Sequence, residues 1–242
     1  MNIRLFTLPN MLTMANLLAG AAAVIAILEY HAYGVAFALI IASAVFDFFD
    51  GMVARLLNQQ SPLGVQLDSL ADDISFGLVP AVAMYDLYVN SSALYIEAPW
   101  MEHLKYITLI IAAFSALRLG KFNIDTTQTT EFEGLPTPAN ALMLMSLAVL
   151  AECGRVSLSQ EHILLIAVGA SLLLVSPIRM FSFKFKGFAL RGNELRYCFI
   201  VACLALIICC PAYSVLAIIV LYIVLSTLRW VFTSRAVDKK GE

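Results

Sequence analysis

The sequence is poor in charged residues. Asp, Glu, Lys and Arg make up only 13% of its 242 residues, whereas a typical soluble domain has about a quarter. The net charge is −2, so bulk electrostatics offer no reason to expect nucleic acid as a partner. Hydrophobic residues make up 61% of the chain. This composition is typical of an integral membrane protein, and one domain over residues 1–242 is the expectation at this length.

Metal-binding cysteine patterns and internal repeats are also absent. The five cysteines form no CxxC pair and no His-Cys metal spacing, so we interpret them as small apolar side chains within helices. No tandem repeat or low-complexity tract occurs. The first ten residues lack a basic region that leads to a small-residue cleavage site, so the first apolar run is expected to be a retained span.

Long apolar runs divide the chain into segments that could each cross a bilayer, for which a helix needs roughly 20 mostly apolar residues. The runs lie near 11–29, 34–56, 64–89, 104–122, 137–152, 161–178, 194–210 and 212–233. We therefore expect an all-α integral membrane protein, a polytopic bundle of about eight transmembrane helices. Only Cys210-Pro211 separates the last two runs, and a seven-span alternative has one of these two helices half-inserted.

Positive charge predicts an orientation. With eight spans, 13 of the 15 Lys and Arg residues fall on one side of the membrane, and Lys105 and Arg155 fall on the other. Because Lys and Arg concentrate in cytoplasmic loops, both termini and the connection between spans two and three are expected in the cytoplasm. A basic loop follows span six, and we interpret it as a topology signal and a contact for anionic lipid. Its residues are Lys184, Lys186, Arg191 and Arg196.

Five aspartates interrupt the apolar pattern in "DFFDGMVARLLNQQSPLGVQLDSLADD", residues 47–73. Asp47 and Asp50 are three residues apart and Asp68 and Asp72 are four apart, spacings that put side chains on one helix face. A short loop joins the two helices, so they run antiparallel and their acidic faces can meet. Ionised carboxylates at membrane depth cost free energy unless they are paired or bind metal.

Three interpretations fit such a cluster: solvated charges at helix ends, an ion pathway, and a divalent metal site. Four acids in helical register, with Arg55 as the nearby positive charge, disfavour the first. Carboxylates suit Mg²⁺ or Mn²⁺, and four of them suffice for two ions. Composition alone does not separate a metal site from an ion pathway.

Small residues near the acids favour a bulky ligand. Gly51, Ala54 and Gly64 would leave room between the two helices, although close helix packing also explains them. Arg55 could form charge-assisted hydrogen bonds to a phosphate. Together with metal ions, this arrangement suits a pyrophosphate better than a permeating ion.

The spacing of these residues resembles the signature of the CDP-alcohol phosphatidyltransferase family. The eight matching positions, within 26 residues, are Asp47, Asp50, Gly51, Ala54, Arg55, Gly64, Asp68 and Asp72. Four further stretches are similar to the members that use serine: "LPNMLTMANLLAG" (8–20), "SFGLVPA" (75–81), "RLGKFN" (118–123) and "GLPTPANA" (134–141). The resemblance implies an enzyme of phospholipid biosynthesis that transfers the phosphatidyl group of CDP-diacylglycerol to the hydroxyl of L-serine and releases CMP.

The resemblance also implies roles for individual residues. Asp47, Asp50, Asp68 and Asp72 would hold two divalent cations, Mg²⁺ or Mn²⁺, and Asp72 would also act as the general base. The residues implied around the CDP-lipid are Asn10, Thr13, Gly51, Ala54, Arg55, Ser61 and Gly64. For Ser61, which precedes Pro62, a plain helix cap is the alternative. The implied site faces the cytoplasm at the inner membrane, and the implied assembly is a homodimer.

The pocket for the alcohol is less well defined. Arg118, Lys121 and Asn123 are candidates for binding serine, and the alternative is that the two cations only mark topology. Gly120-Lys121 replaces the Ala-Arg that is usual in the serine-using members. Asp73 projects about 100° round the helix from Asp72, so we assign it no metal.

Two other functions remain to be distinguished. A sibling enzyme that uses inositol, glycerol phosphate or another alcohol would share the eight-residue signature. An ion-coupled transporter is the more distant alternative, and it would be expected to show half-helix repeats or acids spread over several spans.

Overall fold

The computed structural model describes residues 5–93, 99–125, 131–181 and 193–238. The α-helices are α1 (Leu8–Tyr30), α2 (Tyr33–Leu56), α3 (Pro62–Asp72), α4 (Val79–Asn90), α5 (Ile110–Ile124), α6 (Thr137–Glu152), α7 (Gln160–Leu174), α8 (Glu194–Cys209) and α9 (Ser214–Asp238). A π-helical segment, Asp73–Leu78, joins α3 to α4, and 3₁₀-helices at Pro99–Leu109 and Pro211–Tyr213 precede α5 and α9. Strands β1 (Glu131–Glu133) and β2 (Arg179–Phe181) form an antiparallel pair.

The prediction of an all-α membrane protein is confirmed. Helices α3 and α4 and the π segment form one unbroken helix over 62–90, so the helices of the described residues correspond to the eight predicted apolar runs. Within the described residues, four stretches are long and apolar enough to cross a membrane: Leu8–Tyr30, Tyr33–Leu56, Trp100–Ile124 and Pro211–Phe232. Helices α6 and α7 are apolar but shorter. The number of crossings and the orientation therefore stay predictions.

Part of the predicted basic loop cannot be compared with the structure. Lys184, Lys186 and Arg191 lie outside the described residues. Arg196 lies in the first turn of α8, where its Nη1 donates to Asn193 Oδ1 at 2.8 Å.

The helices that carry the acidic residues have well-defined ends. Helix α1 begins after Thr7, whose hydroxyl accepts a hydrogen bond from the Asn10 amide at 3.4 Å. Helix α3 begins after Ser61, whose hydroxyl accepts from the Gly64 amide at 3.0 Å. In both helices a proline occupies the first turn, where its missing N–H costs nothing. These caps fix where the two helices start relative to the acids.

In the part of the chain that the structure describes, two apolar clusters hold the bundle together. The larger joins α1, α2 and α6 to the 62–90 helix through fully buried residues, among them Ile27, Ile40, Phe76 and Leu144. The smaller packs the β-strand pair against α8 and α9, where the Tyr222 hydroxyl donates to the Phe181 carbonyl at 3.0 Å. The larger cluster therefore fixes the helices on which the acidic residues lie.

Candidate active site

Three of the predicted metal ligands converge. One carboxylate oxygen from each of Asp47, Asp50 and Asp68 lies within 4.8 Å of the others. Asp50 is only 5% exposed, and the buried Oδ1 of Asp68 accepts no hydrogen bond within the described part of the chain. The Lys and Arg residues described there form no ion pair with these acids. A buried acceptor without a donor, in a group of hard oxygen ligands, fits a divalent cation.

The fourth predicted ligand, Asp72, lies beside this group and not within it. It follows Asp68 by one helical turn and is near enough to interact electrostatically with Asp47, Asp50 and Asp68. Its Oδ1 accepts a hydrogen bond from Asn16 Nδ2 at 3.1 Å. Helix α1 therefore holds Asp72 from one side, and the charged groups near it are the three carboxylates and Arg118.

Thr13 contacts the acidic group directly. Its hydroxyl donates to Asp50 Oδ2 at 2.5 Å, and Thr13 is only 3% exposed. The resemblance implies Thr13 near the CDP-lipid. In the structure its hydroxyl also contacts one of the predicted metal ligands.

A cavity of about 240 Å³ adjoins Asp50 and Asp68. Its lining residues are Pro9, Asn10, Thr13, Asp50, Gly51, Ala54, Arg55, Gln59, Gln60, Ser61, Gly64, Val65 and Asp68. The seven residues predicted around the CDP-lipid all belong to this lining. Gln59 and Gln60, in the loop between α2 and α3, are lining residues that the sequence did not indicate.

The three residues proposed for the alcohol have different surroundings. Arg118 is half-buried and donates from Nη1 to Thr137 Oγ1 at 2.9 Å, while its buried Nε has no acceptor among the described residues. Lys121 is exposed and pairs with Glu133 at 2.7 Å. Asn123 is exposed and donates to the Ser69 hydroxyl at 2.7 Å. Of the three, Arg118 alone has a buried donor left for a ligand.

Sequence reasoning missed two buried asparagines. Asn16 is fully buried beside Asp72. Asn140 is fully buried in the first turns of α6, and neither polar atom of its amide has a partner among the described residues. A signal existed for Asn16, since Asn10, Thr13 and Asn16 recur every three residues in an otherwise apolar helix and so share one face. For Asn140 we find no comparable pattern.

Asp73 faces away from the other aspartates. A Cβ built on Gly77 would lie 2.6 Å from Asp73 Oδ1 and 2.7 Å from Ser115 Oγ. The Asp73 side chain thus turns toward α5, on a different side of the helix from Asp72. Asp73 Oδ1 is buried and has no hydrogen-bond partner among the described residues, but it does not belong to the group of converging carboxylates.

The fold and the site define a class of helical membrane protein in which carboxylates from two antiparallel helices border a cavity. The family model for CDP-alcohol phosphatidyltransferase matches residues 6–175. The chain therefore belongs to this family, which confirms the resemblance seen in the signature. Members of the family generally use divalent metals, and the aspartate cluster could bind such an ion.

Curated relatives share most of the chain. It is 29% identical over 236 residues to the CDP-diacylglycerol–serine O-phosphatidyltransferase of Helicobacter pylori, covering 94% of this chain and 92% of that protein. It is 36% identical over 179 residues to the enzyme of the same name from Bacillus subtilis, with coverage of 73% and 91%. The corresponding Methanocaldococcus jannaschii protein is 33% identical over 176 residues, with coverage of 73% and 74%.

Proposed function

We propose that this protein is a metal-dependent transferase that moves the phosphatidyl group of CDP-diacylglycerol to the hydroxyl of L-serine, giving phosphatidylserine and CMP. One observation carries the proposal: carboxylate oxygens of Asp47, Asp50 and Asp68 lie within 4.8 Å of one another. They border a cavity that Arg55 also lines. The names of the bacterial and archaeal relatives support serine as the alcohol.

Asp47, Asp50, Asp68 and Asp72 would hold two divalent cations, Mg²⁺ or Mn²⁺. When bound, such ions neutralise a pyrophosphate and polarise its P–O bonds. The unpaired Oδ1 of Asp68 supports this assignment, because a buried carboxylate oxygen without a donor is costly unless a cation contacts it.

The chain's own groups would then carry out the transfer. Asp72 accepts the proton of the serine hydroxyl, and the serine oxygen forms a bond to the phosphorus that carries diacylglycerol. The bond from that phosphorus to the oxygen of CMP breaks, and Arg55 stabilises the charge on the departing CMP. Positioning and charge neutralisation supply most of the catalysis in reactions of this kind.

Residues at the N-terminal ends of α1 and α3 would hold the CDP-lipid. Asn10 and Ser61 line the cavity from the two helix starts, and Gln59 lines it from the connecting loop. Gly51, Ala54 and Gly64 keep the space between the helices open. Ser61 also caps α3, so a contact with the nucleotide would be its second task.

Arg118 is the strongest of the three candidates for the serine carboxylate. Its buried Nε has no acceptor within the described residues, and a carboxylate would supply one. The contacts of Lys121 with Glu133 and of Asn123 with Ser69 make these two residues weaker candidates. Asn140, one turn beyond the Arg118 partner Thr137, would add an amide to the same side of the site.

The topology is part of the proposal. A single domain over 1–242 would cross the membrane eight times, with both termini and the active site on the cytoplasmic side of the inner membrane. The lopsided distribution of 13 of the 15 Lys and Arg residues supports this orientation. CDP-diacylglycerol would enter from the inner leaflet, and the family resemblance supports a homodimer.

The test is release of CMP by the purified protein. CDP-diacylglycerol and Mn²⁺ or Mg²⁺ are supplied with serine, glycerol phosphate or inositol in turn. We expect release with serine, and release with another alcohol alone would overturn the choice of substrate. Asp72→Asn should insert normally and release no CMP. Substantial activity of that variant would refute the role of Asp72 as the base.

A further inference from the structure

A fully buried amide, Asn16, lies between α1 and the 62–90 helix. Its Nδ2 donates to Asp72 Oδ1 at 3.1 Å. Its Oδ1 accepts from the Ser75 hydroxyl at 2.8 Å. The same hydroxyl lies 3.1 Å from the Asn16 backbone carbonyl, and so does the hydroxyl of Ser43 on α2. Asn16 is therefore bonded through its side chain to one helix and through its backbone to two.

Only one orientation of the Asn16 amide fits these neighbours. If the amide were turned over, its oxygen would face the Asp72 carboxylate, and two acceptors would stand 3.1 Å apart. An ionised carboxylate offers acceptors only. The Ser75 hydroxyl donates to Asn16 Oδ1 in this orientation, but a hydroxyl can also accept, so the carboxylate is what selects it. The Asp72 carboxylate thus sets the orientation of Asn16, and Asn16 engages one oxygen of Asp72.

The packing of the helices keeps this contact short. A Cβ built on Gly20 would lie 2.9 Å from Ser75 Cα and would also collide with the Ser75 hydroxyl. Ser75 is fully buried at this crossing. The absence of a side chain at Gly20 therefore lets α1 approach the 62–90 helix closely enough for Asn16 to reach Asp72.

We infer that Asn16 is a positioning residue, which holds the Asp72 carboxylate so that one oxygen is engaged and the other is directed to the reaction. This inference rests on the proposed role of Asp72 as the base. Partners that orient a functional carboxylate or ligand typically change activity about 10- to 100-fold when removed. Asn16 is fully buried and is not among the residues that line the cavity, so its loss should act on turnover and not on the binding of CDP-diacylglycerol.

The test compares Asn16→Leu, which keeps the approximate shape, with Ser43→Ala as the matched control. Both substitutions remove a buried hydrogen bond of the same segment, but only the first touches Asp72. For Asn16→Leu we expect kcat to fall about 10- to 100-fold, with an unchanged KM for CDP-diacylglycerol. The unfolding temperature should also fall, because Asp72 and Ser75 lose a buried hydrogen-bond partner. Ser43→Ala should keep the wild-type kcat. Ser75→Ala should lower kcat less than Asn16→Leu does.

Asn16→Gln, which retains the donor, should recover part of the lost turnover. The inference is overturned if Asn16→Leu keeps kcat within twofold of wild type. It is also overturned if kcat falls equally in Ser43→Ala, since a general packing defect would then explain the loss. Turnover is measured with whichever alcohol the wild-type protein accepts, so failure of serine as a substrate would count against the proposed function alone.

Discussion

The two ends of the α1–α2 helix pair bury acids in opposite ways. At one end Asp86 is 5% exposed, and its Oδ2 lies 2.6 Å from the Tyr33 hydroxyl and 2.8 Å from His31 Nδ1. At the other end Asp68 has a buried oxygen with no donor in the described chain. Burial of an acid is thus common to both ends. The ends differ in their neighbours, since Asp86 lies beside a hydroxyl and an imidazole, whereas Asp68 converges with the carboxylates of Asp47 and Asp50.

The same helices carry both arrangements. Thr13 contacts Asp50 near the start of α1, and His31 follows the end of that helix. Eighteen residues of helix span about 27 Å, so the two sites lie far beyond direct contact. A change at one end should therefore leave the other intact, which makes each end a control for the other.

Loss of an acid should have its largest effect on turnover, and only at the Asp68 end. Asp68→Asn removes a carboxylate from the three-residue group, and we expect kcat to fall about 10³-fold or more. Since 1.36 kcal/mol corresponds to a tenfold change in rate, this is a loss of about 4 kcal/mol of transition-state stabilisation. Asp86→Asn should keep kcat within about threefold, a change of well under 1 kcal/mol. Both variants are assayed for CMP release after equal membrane insertion is verified. Comparable losses in the two would refute the division between the ends.

Divalent metal should stabilise the protein through the same acids. A ligand at 100 times its Kd adds about 2.7 kcal/mol to the free energy of unfolding. We expect Mn²⁺ or Mg²⁺ to raise the unfolding temperature of the wild-type protein and of Asp86→Asn, and a chelator to reverse the rise. Asp68→Asn should show a much smaller rise. An equal response of Asp68→Asn would show that the ion binds elsewhere.

The local patterns of the sequence predicted much of this arrangement. Spacings of three and four residues put Asp47 with Asp50 and Asp68 with Asp72 on helix faces, and the short loop brought the two faces together. The seven predicted lining residues were implied by the family resemblance, and they lie on these two helices, before the second of them and at the start of α1. The pairing of the acids depends on neighbours within a few turns, which is the range over which helical periodicity carries information.

Contacts between distant segments could not be predicted from such local patterns. The bond from Thr13 to Asp50 spans 37 residues, and that from Asn16 to Asp72 spans 56. Each depends on how helices cross, as at Gly20, and not on a local repeat. The ion pair between Lys121 and Glu133 could not be predicted either, because it depends on the path of the chain through β1.

Substitutions at the two ends should change the free energy of unfolding of the metal-free protein in opposite directions. Asp86→Asn weakens the contacts with Tyr33 and His31, and loss of a buried partner costs about 1–3 kcal/mol. Asp68→Asn removes one charge from a group of like charges, so it should not lower the free energy of unfolding and should raise it. Unfolding in chelator, followed by temperature or denaturant in one detergent, checks both. A destabilised Asp68→Asn would contradict the view that the cluster is unfavourable without a cation.

The smallest expected effect compares two serine caps. Ser61 caps α3 at the cavity, accepting from the Gly64 amide at 3.0 Å. Ser159 caps α7 and accepts from the His162 amide at 3.4 Å. It lies near the Asp86 end of the bundle, since Gln160 bonds to the Ser91 carbonyl just beyond α4. Replacing a serine cap by alanine costs about 1 kcal/mol, so Ser61→Ala and Ser159→Ala should lower the free energy of unfolding by similar amounts.

The two cap variants should differ in substrate binding. Only Ser61 lines the cavity, so only Ser61→Ala should raise the KM for CDP-diacylglycerol, by about tenfold if one hydrogen bond worth about 1.4 kcal/mol is lost. Kinetics of CMP release at saturating serine measure the difference. If both variants lose stability and neither changes KM, Ser61 is a helix cap alone, and contact with the nucleotide must be assigned to Asn10, Gln59 and Arg55.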